Sequence, residues 1–287
     1  MNKITRTPST RFRSDFMIQT NNGGLLESVP GFNAARVLSQ NFPKRALPAR
    51  LRQEFLGESM AFEYAFPQSS FGKDDRVPIT NTAALPWRCI CQLVVEGVHP
   101  NRQLLGTGWL AGPHTVITAG HNLYDPDKGR GASRITVIPG RDGDLAPFDY
   151  YVSGNFNIHD GWRNGNKHQD IGVIWLQRPL GEQLGWFGFA SYTDSNLSNL
   201  IVNTSGYPAD KRIGTQWFNA GRIDGMDADT LLYGLDTQAG QSGSPIFLFD
   251  EDRRRIALAV HGYGFDDHNR GIRINDEVYD LFVDWVR

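Results

Sequence analysis

Cysteine is almost missing from this chain: among 287 residues only Cys89 and Cys91 occur, two positions apart in an apolar run. If that run is a strand, alternation puts both thiols on one face with their Cα atoms roughly 6.5 to 7 Å apart. That separation is at or beyond the usual disulfide limit, so buried free thiols are expected and the fold must hold without a bridge. Long hydrophobic runs are missing too. No stretch approaches the roughly 18 to 20 apolar residues of a membrane span, and no membrane partner is expected. Met1 to Thr20 carries basic residues but no apolar run of about 7 to 15 behind them, so a Sec signal is not apparent. Charge of one sign is not in excess either: the net value of −2 gives no reason to expect a nucleic-acid partner. His159, His168 and His268 lack zinc-ligand spacing, and the turn with Asp125, Asp127 and Gly129 lacks the closing glutamate of a calcium loop. No metal and no cofactor are expected.

What is present reads as a globular chain, 40% hydrophobic and 21% charged, with ample length for a large core. From Val77 onward the texture is all-β. Apolar runs at Cys89 to Val95, Thr115 to Thr118, Ile135 to Ile138, Ile171 to Leu176, Leu200 to Val202 and Ile256 to Val260 alternate with clusters of Gly, Pro, Asn and Asp. Many short strands so punctuated favour a sandwich or a barrel. The carboxyl end departs from this: after Asn275, a plausible N-cap, Val278, Leu281, Phe282 and Trp285 recur at helical spacing and predict one amphipathic packing helix. Residues 1–69 differ from the remainder in charge, with nine Lys or Arg against five Asp or Glu, whereas residues 70–287 carry 20 against 26. Within that basic region Ala46 to Phe55 is expected to form a short helix, and the whole region reads either as a loosely packed tail or as a functional extension.

The chemistry concentrates at Thr237-Gln238-Ala239-Gly240-Gln241-Ser242-Gly243-Ser244-Pro245, followed by the apolar Ile246-Phe247-Leu248. A serine between glycines reads as a tight loop feeding a buried strand, able to present one hydroxyl and two backbone N–H groups together. A serine hydroxyl is a weak nucleophile and requires a base and an orienting carboxylate. His121, after Val116-Ile117-Thr118-Ala119-Gly120, is the candidate base, and Asp170, heading Ile171-Gly172-Val173-Ile174, the candidate carboxylate. The nucleophile elbow of α/β-hydrolases has Gly where Ser244 stands and places its partners after the serine. Here histidine and aspartate both precede it, the order of the chymotrypsin-like arrangement.

These motifs resemble the chymotrypsin-like serine peptidases, and within them the bacterial glutamyl endopeptidases of the Bacillus and staphylococcal V8 type. The likeness extends to Gly72 to Arg76, Gly108-Trp109-Leu110, Ser205-Gly206-Tyr207-Pro208, Gly214-Thr215-Gln216-Trp217, Ala259-Val260-His261 and Asn269-Arg270-Gly271, about three quarters of the chain. The resemblance implies an all-β, chymotrypsin-like double β-barrel over 70–287, with the active site between the barrels and a C-terminal helix. It implies that 1–69 is an N-terminal pro-like extension of a zymogen, and we expect a cut just before Ser70. His121, Asp170 and Ser242 would be the catalytic residues, with the N–H groups of Gly240 and Ser242 as oxyanion hole. Thr237 and His261 fall where the family binds the carboxylate of an acidic P1 residue, the latter expected as an imidazolium. The implied activity is hydrolysis of polypeptide substrates by a monomer, and the resemblance suggests secretion. Asp236 stands where trypsin-like enzymes place the aspartate that selects Arg or Lys, so a basic P1 preference is an alternative, and a silent protease-like binding module is another. Gln241, where relatives activated by a new amino terminus have Asp, makes that salt bridge unavailable, and Asn122 replaces a cysteine found in many relatives.

Overall fold

The computed structural model describes residues 45–52, 74–198, 200–250, 254–264 and 268–287, and the backbone of two-residue strand pieces at 11–12, 19–20 and 27–28. The expected cut before Ser70 lies outside the described residues.

Seven strands make the first barrel: β1 (Ile90–Glu96), β2 (Leu104–Leu110), β3 (Thr115–Thr118), β4 (Arg134–Pro139), β5 (Tyr151–Ser153), β6 (Phe156–Ile158) and β7 (Gly172–Trp175). They pair in the order β5-β4-β1-β2-β3-β7-β6, every pairing antiparallel. Strands β5 and β6 are two halves of one bent segment, so the sheet curls until its ends meet. At the bend the Ser153 hydroxyl donates to Trp175 O (2.7 Å) and Trp175 N–H to Asn155 O (2.9 Å).

The second barrel contains β8 (Gly188–Ser191), β9 (Ile201–Gly206), β10 (Trp217–Met226), β11 (Thr230–Tyr233), β12 (Pro245–Phe249), β13 (Arg255–Gly264) and β14 (Asn269–Arg273). Strands β13-β12-β9-β10-β11-β14 form a ring closed by antiparallel pairing of β14 with β13, and β8 lies parallel to β13. Closure leaves the ring no free edge. Its core is Val202, Ile223, Leu231, Leu235, Ile246, Leu248, Ile256 and Leu258. The apolar runs expected as strands all form strands. Cys89 ends a 3-10 turn instead, just ahead of Cys91 in β1, and both thiols are free and buried.

The carboxyl-terminal helix α1 (Asp276–Trp285) forms as its periodicity predicts, capped by Asn275 Oδ1, which accepts from Val278 N–H at 3.0 Å. It buries Val278, Tyr279, Phe282 and Trp285, and Leu281 is only half-buried. Phe282 sits edge-on to Trp109 of the first barrel and to Phe189 of the second, so the helix ties the two barrels together. Among the described residues no helix is long and apolar enough to cross a membrane.

The helix expected over Ala46 to Phe55 is a correction. Arg45–Ala46 is a short strand paired with Leu145–Ala146, Ala49–Leu51 is one 3-10 turn starting after Pro48, and residues 53 to 55 lie outside the described residues. Tertiary contacts override the local propensity here. Leu47 and Leu51 are fully buried against Val94, Leu105, Ile138, Ala146 and Ile213. Leu51 O also accepts from Arg141 Nη2 (2.8 Å), a guanidinium buried without exposure. Residues 45–52 are therefore packed onto the flank of the first barrel and do not trail from it. Replacing Leu51 with Ala is expected to lower the unfolding free energy by about 2 to 5 kcal/mol. A lower urea midpoint at constant slope would show this, and an unchanged midpoint would show that the segment is not part of the core.

Candidate active site

His121 follows β3 in a 3-10 turn, Gly120–Asn122. Asp170, fully buried, precedes β7, the strand that pairs with β3, so the two side chains meet at neighbouring strand ends. Asp170 Oδ2 lies 2.6 Å from His121 Nδ1, and Oδ1 accepts from the backbone N–H of His121 at 2.7 Å. One carboxylate thereby fixes both the ring and the turn that carries it. An acceptor at Nδ1 favours the tautomer with hydrogen on that nitrogen, leaving Nε2 as the basic atom. A side chain on Gly120 would strike Trp162 and crowd Asp170 Oδ1, which explains the small residue the sequence places there.

Ser242 sits in a turn closed by Gln241 N–H to Gln238 O (3.0 Å) and Ser244 N–H to Gln241 O (2.9 Å). The next residue, Gly243, has φ of 88°, and a Cβ there would overlap Thr107 O and Thr118 Oγ1 of the first barrel. That close approach lets Ser242 O accept from Thr107 N–H and from Asn122 Nδ2, both at 2.9 Å. The serine is thus bonded to the residue beside His121. Gly240 has φ of 92° and its carbonyl accepts from Thr107 Oγ1 (2.8 Å), while among the described residues nothing accepts from its N–H. Ser242 Oγ lies 3.4 Å from Gly262 O.

Thr237 and His261 are both fully buried, beside the Ser242 loop and on β13 respectively. His261 Nδ1 is 2.7 Å from the hydroxyl of Tyr233. His261 Nε2 and Thr237 Oγ1 are buried without a hydrogen-bond partner among the described residues. Burial, with nearby His121 adding to it, pushes His261 down to about 3. The imidazolium expected from the sequence is therefore a neutral imidazole in the free enzyme. Burial also raises the Tyr233 phenol well above its usual range, so it keeps its proton and can donate it to Nδ1. Asp236, 3% exposed, accepts from Asp75 N–H at 3.1 Å. The turn at Asp125 is held by Lys128, whose backbone N–H and Nζ both bond the carboxylate at 3.1 Å.

Sequence reasoning assigned no role to Tyr233 or Arg76. Tyr233 had a signal in the apolar run Leu231-Leu232-Tyr233, but only the β11–β14–β13 register brings it to His261. Because the folded-state value of His261 lies below the usual 6.5, its contribution to stability is present above about 6.5 and is lost as pH falls toward 3. His261→Gln is therefore expected to flatten the pH dependence of unfolding free energy across that window. An identical slope in the two proteins would contradict a neutral buried imidazole.

The family model described as Trypsin matches residues 77–286. A glutamyl endopeptidase of Bacillus licheniformis is 43% identical over 226 residues, which cover 76% of this chain and 69% of that protein. A Bacillus subtilis protein named extracellular metalloprotease is 34% identical, with 77% of this chain and 70% of that one covered. Among the described residues no three His, Cys, Asp or Glu side chains group as a metal site. In three dimensions a Glu endopeptidase solved with MPD superposes with a TM-score of 0.68 at 24% identity, over 75% of this chain and 98% of that one. With a family model spanning well over half its length, and both barrels and their seam as that fold requires, this chain belongs to the trypsin family of serine peptidases.

Proposed function

We propose that the chain is an endopeptidase in which Ser242 is the nucleophile, His121 the general base and acid, and Asp170 the residue that orients and stabilises the imidazole. The observation that carries this is the pair of hydrogen bonds that buried Asp170 accepts from His121, ring and backbone, beside a serine loop hydrogen-bonded to Asn122. Ser242 Oγ attacks the scissile carbonyl carbon while its proton passes to His121 Nε2. The carbonyl oxygen becomes an oxyanion received by the N–H groups of Gly240 and Ser242. His121 then gives the proton to the departing amine, and water repeats the sequence on the acyl-enzyme. The positive φ of Gly240 supports this reading, because it turns an amide away from the loop's own hydrogen bonds. Loss of one such donor costs on the order of 10² to 10³ in rate.

For the P1 residue we propose an acidic side chain, glutamate foremost, held by Thr237 Oγ1 and His261 Nε2. Both donors are buried and unmatched by protein groups among the described residues, which is costly unless a ligand pairs with them. Donation from Tyr233 to Nδ1 leaves hydrogen on Nε2, so the imidazole can donate while neutral. A carboxylate beside it favours the protonated form and raises its pKa. The names of the similar Bacillus licheniformis and crystallographic proteins agree with this preference. The basic alternative is less favoured because Asp236 is buried and bonded to the Asp75 backbone. We also propose that residues 1–69 act as a pro-segment cut before Ser70. After such a cut Leu47 and Leu51 could hold the segment in place without a covalent link.

The test is a peptide panel with Glu, Asp, Arg or Phe at P1, given to the full chain and to a version beginning at Ser70. Cleavage after Glu is expected, lost by on the order of 10⁶ in Ser242→Ala. Thr237→Val is expected to lower kcat/KM for Glu roughly 10- to 100-fold, the loss of one hydrogen bond to a charged group. Cleavage after Arg would transfer specificity to Asp236, and no cleavage by either length would favour a silent binding module. A rate difference between the two lengths is expected of a pro-segment, and equal rates would count against one.

A further inference from the structure

The nucleophile loop is gripped from behind by three residues more than 160 positions earlier in the chain. Arg76 has a side chain only 1% exposed, and each of its five N–H bonds has an acceptor. Nε and Nη2 donate to the two oxygens of Asp74, both at 2.9 Å. Nη1 and Nη2 donate to the two oxygens of Asp210, at 3.1 and 2.6 Å. The remaining Nη1 hydrogen reaches Gln241 Oε1 at 3.2 Å, the side chain next to the nucleophile. That same oxygen accepts from Gln238 N–H at 3.0 Å, so its two donors fix the orientation of a fully buried amide. Lys211 Nζ, 2.6 Å from Asp74 Oδ2, leaves the four charged groups neutral in sum. The hydrogen bond from Arg76 holds the Asp74 carboxyl well below the usual carboxylate range. Burial alone would lower the Arg76 value, yet its bonds to Asp74 and Asp210 outweigh this and raise it.

The same segment grips the loop a second time, at Asp236, through Asp75 N–H at 3.1 Å. Asp75 is itself held, with Oδ1 accepting from Asn219 Nδ2 at 2.7 Å. Asp236 and Gln241 bracket the stretch that contains Thr237 and Gly240. We infer that Asp74-Asp75-Arg76 is an internal clasp on the oxyanion loop, with Arg76 a positioning residue that fixes Gly240 and Ser242 through the side chain of Gln241. This rests on the proposed roles of Gly240 and Ser242. A guanidinium is required because a compact ammonium cannot supply two bidentate carboxylate contacts and a fifth hydrogen to the amide. Without it Gln241 keeps one donor, Asp74 and Asp210 are left with Lys211 as their one cation in the cluster, and the loop is free to abandon the positive φ of Gly240. The clasp uses no newly formed amino terminus, so a chain with Gln241 at this position can keep the loop ordered without one.

The test compares Arg76→Gly and Arg76→Lys with wild type in the full chain, with a Glu-P1 peptide, thermal melting and added methylguanidinium. Arg76→Gly is expected to lose roughly 10²-fold in kcat, the size of a misplaced oxyanion donor, with KM changed far less. Millimolar methylguanidinium is expected to restore part of that kcat in Arg76→Gly and to leave wild type unchanged. Val137→Ala, destabilised in the core of the first barrel, is expected to keep the kcat of wild type. If Arg76→Gly does not fold, Arg76→Lys carries the test, and its kcat must fall while its circular dichroism stays native. A folded Arg76→Lys or Arg76→Gly with wild-type kcat overturns the clasp, as does a kcat loss in Arg76→Gly that methylguanidinium leaves untouched. Wild type that cleaves no peptide either as the full chain or from Ser70 overturns the proposed function and the clasp with it, whereas active wild type with unimpaired variants overturns the clasp alone.

Discussion

The account depends on one constraint: the proposed base and nucleophile belong to different barrels, so the chemistry requires the two barrels to be held together to within a fraction of an ångström. Gly243 makes this possible. Its missing side chain lets the loop after β11 lie directly on Thr107 O and Thr118 Oγ1. Two hydrogen bonds into Ser242 O, from Thr107 and Asn122, then close the seam. Gly243 N–H donates to His261 O at 2.7 Å, and His261 N–H to Ser244 O at 2.8 Å, which joins the nucleophile turn to the proposed specificity strand. Other features of the fold act through this contact. Helix α1 braces the two barrels through Phe282, and residues 45–52 pack against them through Leu47, Leu51 and Ile213.

Around the seam the polar groups fall into two kinds. Asp170, Thr107, Asn122 and Arg76 are buried with partners and hold geometry. Thr237 Oγ1 and His261 Nε2 are buried without one among the described residues. Burial is tolerable for the first group because each bond offsets desolvation. For the second it is an energetic cost to the free protein, and the acidic side chain proposed to bind there would relieve it. Neutral His261 follows from the same physics. A permanent cation in this position would be expensive to bury, whereas an imidazole that gains its positive charge only beside a carboxylate is not.

Much of this was legible in the sequence, for local reasons. The proposed triad residues announce themselves because each follows or precedes an apolar strand, and His121 and Ser242 adjoin glycines that the close approach requires. Helix α1 is legible because its period and its Asn275 cap agree. Strand β10, from Trp217 to Met226, was not, since Arg222 and Asp224 on its open face and its glycines break the alternation. Nor was the packing of Leu47 and Leu51, where Pro48 and the pairing of Ala46 with Leu145 replace a helix that composition alone suggests. The charge state of His261 depends on burial and the role of Arg76 on a contact 165 residues away, and neither quantity is written in a local window.

The most direct test of the central claim is covalent. The full chain and the version beginning at Ser70 should each be treated with a fluorophosphonate, which modifies only an activated serine, and the adduct located by peptide mass mapping. The account requires a single phosphonylated residue at Ser242, absent from protein carrying His121→Ala. An adduct on another serine, or none on folded wild-type protein of either length, would contradict it.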